Sequence, residues 1–258
     1  MMSKPEESTT PDPCVSVVIP TCDRRIDWLR EAIASVLKQS LPPLEVLVID
    51  NGTREVARSD LPSGIKLFRE QPRIGPSRAR NLGASLSTGT HLAFLDDDDW
   101  WDENFLFEAF NACRRDSVRC VYGRILRSRN GQVYEHHNLT QGEISVDALL
   151  WRNPGTGGIN LFIEKDLFLA VGGFDEELAI SEDRALAIEI LRAGEKIAIA
   201  PEAVVFARQH DGFRLSKTIR SKRAFILKYR DLMPRWVFWR RLLKYRWWEL
   251  LRSGSRPK

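Results

Sequence analysis

Cysteine is scarce in this chain of 258 residues: it has four, and none lies in a C-x-x-C pair. The four histidines do not complete a zinc-binding pattern with them. A structural zinc module and a disulfide-stapled secreted domain are therefore excluded. We predict that Cys14, Cys22, Cys113 and Cys120 are buried, reduced thiols of a cytoplasmic protein.

Long hydrophobic runs are also absent. No stretch of about 18 consecutive apolar residues occurs, so no transmembrane helix is expected. Residues 1–13 are polar, contain proline and lack the apolar segment of a secretory signal, so we predict a disordered leader there. The composition, 43% hydrophobic and 29% charged, is that of a globular protein long enough to bury a core.

Charge is unevenly distributed along the chain. From Arg214 to the end there are 15 Lys/Arg against 2 Asp/Glu, whereas the whole chain carries +4, so the preceding 213 residues have a net charge of −9. The protein therefore has an acidic body and a basic tail, and the two parts need separate explanations.

Hydrophobic periodicity predicts the fold of the acidic body. Residues 15–20 and 45–50 are β-branched runs typical of buried parallel strands, and residues 28–37 between them have apolar side chains at helical spacing. This alternation predicts an α/β fold with an open sheet flanked by helices. It continues with strands at 65–68 and 91–95 and helices at 76–87 and 102–114.

After residue 115 the alternation is less regular. The sequence Asn130-Gly131 predicts a hairpin, and residues 153–158, with three glycines, are interpreted as a loop that is either a mobile lid or a turn. Residues 216–252 are predicted to be helical, with an interruption at Pro234. The other predicted elements are strands at 119–126, 132–136, 159–163, 196–200 and 203–207 and a helix at 182–192.

Three polar segments follow predicted strands: Thr21-Cys22-Asp23, Asp50-Asn51 and residues 96–99. In open α/β sheets, ligands bind beyond the carboxyl ends of the strands. We therefore expect the three segments to meet at one edge of the sheet and to form a site.

The four consecutive acids at 96–99 are the strongest of these signals. Asp96 and Asp98 are two residues apart, so in an extended chain both carboxylates project to one side and repel each other unless a cation lies between them. Hard oxygen ligands suit Mg²⁺ or Mn²⁺ bridging to a phosphate. The alternative is a solvated acidic turn or helix start, which is the expected role of Asp99 and Asp102.

The glycine-rich loops that usually hold phosphates are missing, since the chain has neither G-x-x-x-x-G-K-[ST] nor G-x-G-x-x-G. Phosphates would have to be held by the metal and by arginines, of which Arg73, Arg78 and Arg80 are available. At least one of the three is expected to lie on a solvated helix face.

Seven segments, in order along the chain, resemble the motifs of glycosyltransferase family 2. They are residues 15–24, residues 45–52, residues 78–83, residues 92–100, Gly172-Gly-Phe-Asp175, Ser181-Glu-Asp183 and Gln209-His210. The resemblance implies a GT-A fold over residues 14–215, with residues 216–258 as a helical C-terminal appendage. It also implies an inverting sugar transferase that uses a nucleotide-diphosphate sugar, with a UDP-sugar as the expected donor, and a divalent metal.

The resemblance also implies roles for individual residues. Asp183 would be the catalytic base, Glu182 beside it would orient the acceptor, and Asp98 would bind the metal, with His210 as a late metal or phosphate contact. Arg80 would lie by the diphosphate and Asp50 would accept a hydrogen bond from the base of the nucleotide. The remaining nucleotide-sugar contacts would be Pro20, Thr21, Asp23, Asp96 and Asp97.

Two of these assignments have alternatives. Glu182-Asp183 could be a plain helix N-terminus capped by Ser181; there the helix dipole would lower the pKa of Asp183 and burial near Glu182 would raise it. Trp100 and Trp101 could stack on an acceptor sugar or belong to the core. The Q-x-x-R-W motif of processive family members is absent, which favours addition of a single sugar.

The basic tail contains four tryptophans and reads as an amphipathic helix. Its composition favours an anionic membrane surface at the cytoplasmic face, where it would meet a lipid-linked acceptor. The alternative is that the tail packs on the acidic body with its Trp side chains in the core. Nucleic acid is not an expected partner, because the tail has no motif that recognises nucleic-acid bases.

Two other functions remain open. A sugar nucleotidyltransferase also uses acidic metal ligands, but it would have a glycine- and arginine-rich loop after the first strand, where this chain has residues 21–24. A nucleotide-sugar- or glycan-binding module without transfer activity would lack one of the acids, whereas Asp96, Asp98 and Asp183 are all present. The sequence favours a transferase that adds one sugar to a glycan or lipid-linked acceptor.

Overall fold

The computed structural model describes residues 13–135, 144–209 and 219–253. In these ranges nine strands form one mixed sheet with helices on both faces. The strands are β1 (Val15–Thr21), β2 (Glu45–Asp50), β3 (Lys66–Arg69), β4 (His91–Phe94), β5 (Trp100–Trp101), β6 (Cys120–Arg129), β7 (Gln132–Glu135), β8 (Leu161–Glu164) and β9 (Ile197–Arg208). The helices are α1 (Ile26–Leu37), α2 (Pro76–Leu86), α3 (Phe105–Asp116), α4 (Val146–Trp151), α5 (Lys165–Ala170), α6 (Glu182–Arg192), α7 (Ile219–Lys228) and α8 (Arg235–Ser253).

The strand order is β3-β2-β1-β4-β8-β6-β9-β5, with β7 paired to β6. Neighbours among the first four strands run parallel, β8 runs antiparallel to both β4 and β6, and β9 runs parallel to β6. The parallel half places the carboxyl ends of β1, β2 and β4 at one edge, as the sequence predicted.

Strands β1 and β2 are buried along their whole length, which shows that both faces of the sheet are covered there. Alternate side chains divide between two cores. Val17 and Ile19 face α1 and α3, whereas Val18 faces the core formed with α2, α5, α6 and α7. A close approach fixes α2 on this second face: a Cβ at Gly83 would lie 2.3 Å from Val18 Cγ1. Gly83 therefore sets the position of α2, and with it that of Arg80.

Several predictions about secondary structure and about the thiols fail. The two late strands form the single strand β9, which crosses Pro201-Glu202 in a bulge opposite Gly123 and Arg124. The short elements β5, α4 and α5 were not predicted. The prediction of four buried thiols is also wrong for two of them: Cys113 and Cys120 are buried, whereas Cys14 and Cys22 are exposed.

The C-terminal helices belong to the core of the body. Phe225 and Tyr229 are buried in one cluster with residues of α6, and Val237 is buried as well. The Tyr229 hydroxyl lies 3.0 Å from Glu189 Oε1 and 3.3 Å from the Ala185 carbonyl oxygen. The described part of the tail thus packs on the body as the alternative interpretation had it, although Trp236 and Trp239 are exposed rather than buried. Among the described residues, no helix combines the length and apolarity needed to cross a bilayer.

Replacing Tyr229 tests this packing. Tyr229→Ala is expected to lower the free energy of unfolding by about 3–5 kcal/mol, because it removes a fully buried ring. Tyr229→Phe retains the ring, loses one hydrogen-bonding hydroxyl and should cost about 1 kcal/mol. Urea unfolding measures both values, with the exposed Leu227→Ala as the control. Equal losses for Tyr229→Ala and Leu227→Ala would contradict the packing.

Candidate functional site

The three polar segments meet at the edge of the sheet, as predicted. The Thr21 hydroxyl donates a hydrogen bond of 2.6 Å to Asp97 Oδ2, which joins the end of β1 to the acids after β4. Asn51 Nδ2 donates to the Thr21 carbonyl oxygen at 2.9 Å, which joins the end of β2 to the end of β1. Pro20, directly before Thr21, is buried within β1.

Asp23 fixes the turn between the ends of β1 and β2. It has a left-handed backbone (φ 54°), and its carboxylate accepts hydrogen bonds from the backbone N–H groups of Thr53 (2.7 Å) and Arg54 (3.0 Å). Those N–H groups and the Thr53 hydroxyl lower the pKa of Asp23. A Cβ at Gly52 would lie 2.8 Å from the Asp23 backbone nitrogen, so the two loops are in direct contact.

Asp50 is only 1% exposed and is held by groups of the protein itself. It accepts from the backbone N–H groups of Gly52 and Val56, and Arg69 Nη1 lies 2.7 Å from its Oδ2. Arg69 escaped the sequence analysis, although it ends β3 at the same edge and its position after a parallel strand is a usable signal. The contact of Asp50 with a nucleotide base stays a prediction.

Asp96, Asp98 and Asp99 form a cluster of carboxylates. Each offers one oxygen, and these three oxygens lie within 4.8 Å of one another. Burial and the neighbouring Asp98 and Asp96 raise the pKa of Asp99 well above its usual value. A divalent cation would relieve this repulsion, and three hard oxygen donors are the ligand set that Mg²⁺ and Mn²⁺ prefer. The donor set therefore fits such an ion.

Asp97 is not part of this cluster. Its carboxylate accepts from Thr21 and from Arg24 Nε (3.0 Å), and burial raises its pKa to about 6 against the opposing effect of Arg24. Arg24 Nη2 also lies 3.3 Å from Asp98 Oδ2. Sequence reasoning gave Arg24 no role, although it stands at the end of the first motif. It supplies positive charge beside the acids.

The structure corrects the role expected for Asp99. Helix α3 begins only at Phe105, so Asp99 does not start it. Its Oδ1 instead accepts from the backbone N–H of Arg208 at 2.8 Å. Asp102 does have the expected local role, since its carboxylate accepts from the backbone N–H of Asn104 at 3.1 Å. Asp99 thus ties the end of β9 to the acidic cluster.

Arg80 connects the acidic cluster with the start of α6. Its Nη2 lies 2.5 Å from Asp96 Oδ1 and its Nη1 lies 3.3 Å from Glu182 Oε1. Burial opposes its charge, but Asp96 and Glu182 together raise the pKa of Arg80, so it stays a cation. Its Nε is buried and finds no hydrogen-bond partner among the described residues. One guanidinium thus spans the two acidic groups predicted for donor and acceptor.

Gly158 leaves the space that Arg80 occupies, because a Cβ there would lie 2.8 Å from Arg80 Cζ. Gly158→Ala is therefore expected to displace the guanidinium and to lower the free energy of unfolding by about 1–3 kcal/mol. The matched control is Gly157→Ala, whose Cβ would meet its first neighbour, Asn160 Oδ1, at 3.3 Å. Thermal unfolding of both variants measures the difference; the same loss at both positions would contradict the close contact with Arg80.

Asp183 is held at the start of α6 by two donors. The backbone N–H of Arg184 donates to its Oδ1 at 2.7 Å, and Asn153 Nδ2 donates to its Oδ2 at 3.3 Å. Burial and the adjacent Glu182 raise the pKa of Asp183 to about 7, so burial outweighs the helix dipole here. Ser181 makes no side-chain cap, so the simple capping interpretation lacks its hydrogen bond.

The glycine-rich segment 153–158 is a turn held by internal hydrogen bonds rather than an open loop. Asn153 Oδ1 accepts from the backbone N–H of Gly155 at 2.8 Å, and its Nδ2 donates to the Thr156 carbonyl oxygen at 2.6 Å. Buried Asn160 donates to the Gly155 carbonyl oxygen at 2.9 Å. Asn153 was missed in the sequence, where its position before Pro-Gly indicated only a turn. It is the residue that connects this turn to Asp183.

The remaining predicted site residues lie in different environments. Trp101 is 3% exposed and stacks on Phe105, so its ring faces the core. Trp100 is half-buried, stacks on Phe206 and lies under the Arg208 guanidinium. Their contact with an acceptor stays a prediction. Arg73 and Arg78 are exposed, and His210 lies outside the described residues.

Comparison with known proteins identifies the family. The model of "Glycosyl transferase family 2" matches residues 16–174, more than half of the chain. A glucosyltransferase of Escherichia coli, WfgD, is 27% identical over 192 residues, which cover 73% of this chain and 74% of that protein. The succinoglycan biosynthesis protein ExoW of Rhizobium meliloti is 32% identical over 131 residues, covering 48% of this chain and 40% of that protein.

The lengths of other relatives differ from that of this chain. The match covers 14% of a Rickettsia bellii protein and 62% of a Haemophilus influenzae protein, both described as uncharacterised glycosyltransferases. Among solved structures, S. aureus TarS residues 1–349 is similar with a TM-score of 0.65 at 19% identity, covering 83% of this chain and 65% of that one. This likeness shows a GT-A fold, which confirms the predicted architecture. The mixed sheet and the matched motifs together show that the chain belongs to glycosyltransferase family 2.

Proposed function

We propose that the chain is an inverting, divalent-metal-dependent glycosyltransferase. It would move one sugar from a nucleotide-diphosphate sugar to a hydroxyl acceptor in the synthesis of a cell-surface polysaccharide, glycan or glycolipid. The observation that carries this proposal is the ion-pair bridge of Arg80, which connects Asp96 of the acidic cluster with Glu182 beside Asp183. The acids proposed to bind the metal and a weakly acidic carboxyl group are thus linked through one arginine.

The relatives support the choice of substrates. The full name of WfgD describes transfer from UDP-Glc to GlcNAc-diphosphoundecaprenol, and the TarS structure contains UDP-GlcNAc. For this chain we infer a UDP-sugar donor and a glycan or lipid-linked acceptor, with the enzyme at the cytoplasmic face of a membrane.

The mechanism follows from the chemistry of the residues. Asp98, with Asp96 and Asp99, would hold Mg²⁺ or Mn²⁺; when bound, the ion supplies positive charge that stabilises the departing diphosphate. Arg80 and Arg24 add fixed positive charge beside the same acids, which favours the transition state in which the diphosphate separates. Asp183 would accept the proton of the acceptor hydroxyl, since its pKa of about 7 leaves it partly deprotonated at neutral pH. Glu182 would orient that hydroxyl.

A screen of nucleotide sugars tests the proposal. Each is added with Mn²⁺ or with EDTA, and thermal unfolding is followed; a donor at about 100 times its Kd should stabilise the protein by roughly 2.7 kcal/mol, with Mn²⁺ only. The best donor is then incubated with simple acceptors, and proton NMR gives the anomeric configuration of the product. Retention of configuration, or binding without any transfer or hydrolysis, would contradict an inverting transferase.

A further inference from the structure

Helix α8 presents an apolar stripe to solvent. Trp236, Trp239 and Leu243 are spaced three and four residues apart and are 66%, 54% and 60% exposed. That spacing places them on one face of the helix. Large side chains seldom remain this exposed together unless they have a partner. We call these three residues the α8 stripe.

The opposite face of α8 holds the helix on the body. Val237 is buried in the core, and Arg241 Nη1 donates to the carbonyl oxygen of Leu150 at 2.7 Å. At about 100° per residue, Val237 and Arg241 lie roughly opposite the middle of the α8 stripe. The orientation of the helix is therefore fixed by contacts in which the stripe takes no part, so folding of the body does not need the stripe.

Cations border the α8 stripe. Arg235 lies on one side of it by helical spacing and Arg240 on the other, and both are exposed. The Arg240 guanidinium lies 5.7 Å from the centre of the Trp236 ring. The segment that starts at Arg214 carries 15 Lys/Arg against 2 Asp/Glu. The surface is thus apolar along its centre and positive along both margins.

A second exposed tryptophan surface adjoins the helix. Trp151, at the end of α4, is half exposed, and Arg241 Cζ lies 5.0 Å from the centre of its ring. Tryptophan prefers the boundary between lipid headgroups and acyl chains, where its ring is apolar and its N–H stays hydrated. Trp151 thus extends the same kind of surface beyond α8.

We propose that the α8 stripe, with Arg235 and Arg240, docks on the surface of a bilayer that contains anionic phospholipids. The tryptophans and Leu243 enter the interface and the arginines bind lipid phosphates. A second copy of the chain fits less well, because pairing two stripes would bring their bordering arginines together. The inference is independent of the transferase chemistry, since no residue of the acidic cluster or of α6 takes part.

Vesicle co-sedimentation of the full chain tests the proposal. The wild-type protein is expected to pellet with vesicles of 70% phosphatidylcholine and 30% phosphatidylglycerol and to stay in solution with pure phosphatidylcholine. Trp236→Ser/Trp239→Ser/Leu243→Ser should reduce binding at least tenfold, whereas Leu86→Ser/Phe107→Ser/Leu169→Ser, three exposed apolar positions on other helices, should not. Arg235→Gln/Arg240→Gln should weaken binding by roughly 25-fold and reduce its salt dependence.

The outcomes are distinct. Equal binding to both vesicle types, or unchanged binding of the stripe variant, overturns the proposal. If the wild type stays in solution and light scattering shows a dimer that the stripe variant loses, the occupant is a second copy and the proposal is wrong. Metal-dependent UDP binding is measured on each variant, so that loss of docking and failure of the proposed function are told apart. Truncation of the tail is not used, because Met233 and Val237 belong to the core.

Discussion

Asp98→Ala is expected to abolish the metal-dependent part of UDP binding. In the wild type, Mn²⁺ should tighten the Kd of UDP, because Asp98, with Asp96 and Asp99, would hold the ion and the ion would supply positive charge to the diphosphate. In the variant the Kd should be the same in Mn²⁺ as in EDTA, a loss on the order of a hundredfold, measured by isothermal titration. The substitution removes the carboxylate that the family resemblance assigned to the metal. It also removes the charge repulsion between Asp98 and Asp96.

Stability separates this effect from misfolding. Asp98 adds to the charge that raises the pKa of Asp99, so without metal its removal relieves repulsion, while Arg24 keeps its partner Asp97. The variant should therefore unfold in EDTA at the wild-type temperature or above it. The control is Asp102→Ala, an acid of the same segment outside the cluster, which should keep the metal effect. Retention of the metal effect by Asp98→Ala would remove this residue from the metal site.

Asp183→Asn is expected to lower kcat by about 10²–10⁴-fold while leaving UDP binding unchanged, because an amide cannot accept the proton of the acceptor. Its size and its hydrogen bond from Arg184 are retained. The matched control is Asp166→Asn, which makes the same change in the first turn of α5. If the two carboxylates were merely favourable helix-terminal charges, both substitutions would cost a few tenths of a kcal/mol in stability and neither would affect turnover.

The pH dependence gives a second measure of the same role. Because burial and Glu182 raise the pKa of Asp183 to about 7, kcat/KM of the wild type should rise with pH and level off above about 7. A raised carboxyl pKa also makes the folded state less stable as pH climbs from the ordinary value of 3.8 towards 7, since the unfolded chain ionises first. In Asp183→Asn, the free energy of unfolding should not show this decrease between pH 3.8 and 7. A wild-type profile that is flat between pH 5 and 8 would argue against Asp183 as the base.

Sequence predicted the parallel half of the sheet well, for a physical reason. Val17, Val48 and Leu92 lie in strands buried on both faces, so their apolar runs carry an unambiguous signal, and each run ends where polar residues begin. The meeting of Thr21, Asp97 and Asn51 at one edge followed from parallel topology alone. The irregular second half had no such constraint: the sequence predicted separate strands at 196–200 and 203–207, but a bulge allowed one strand, β9, to continue through Pro201.

The parts of the site that were missed depend on contacts between distant segments. The side chains of Arg24 and Asn153 and the backbone N–H of Arg208 donate to carboxylates that are 30 to 109 residues away along the chain. No local pattern marks those pairings. The pKa of Asp183 was undecided for the same reason, since burial depends on the packing of α4, α6 and the turn at Asn153. Cys22 is exposed because it follows the last buried residue of β1, a boundary that the apolar run marks only approximately.

That exposed thiol offers a practical advantage. Cys22 lies between Thr21 and Asp23 at the edge where the nucleotide is proposed to bind, and its Sγ is 3.5 Å from the Asn51 carbonyl oxygen. Although the residue is exposed, partial burial of its sulfur and the negative charge of Asp23 raise the pKa of Cys22, so alkylation is slow at neutral pH and speeds up under alkaline conditions. With Cys14 changed to serine, a fluorophore attached there would report directly on ligand occupancy without an engineered label site.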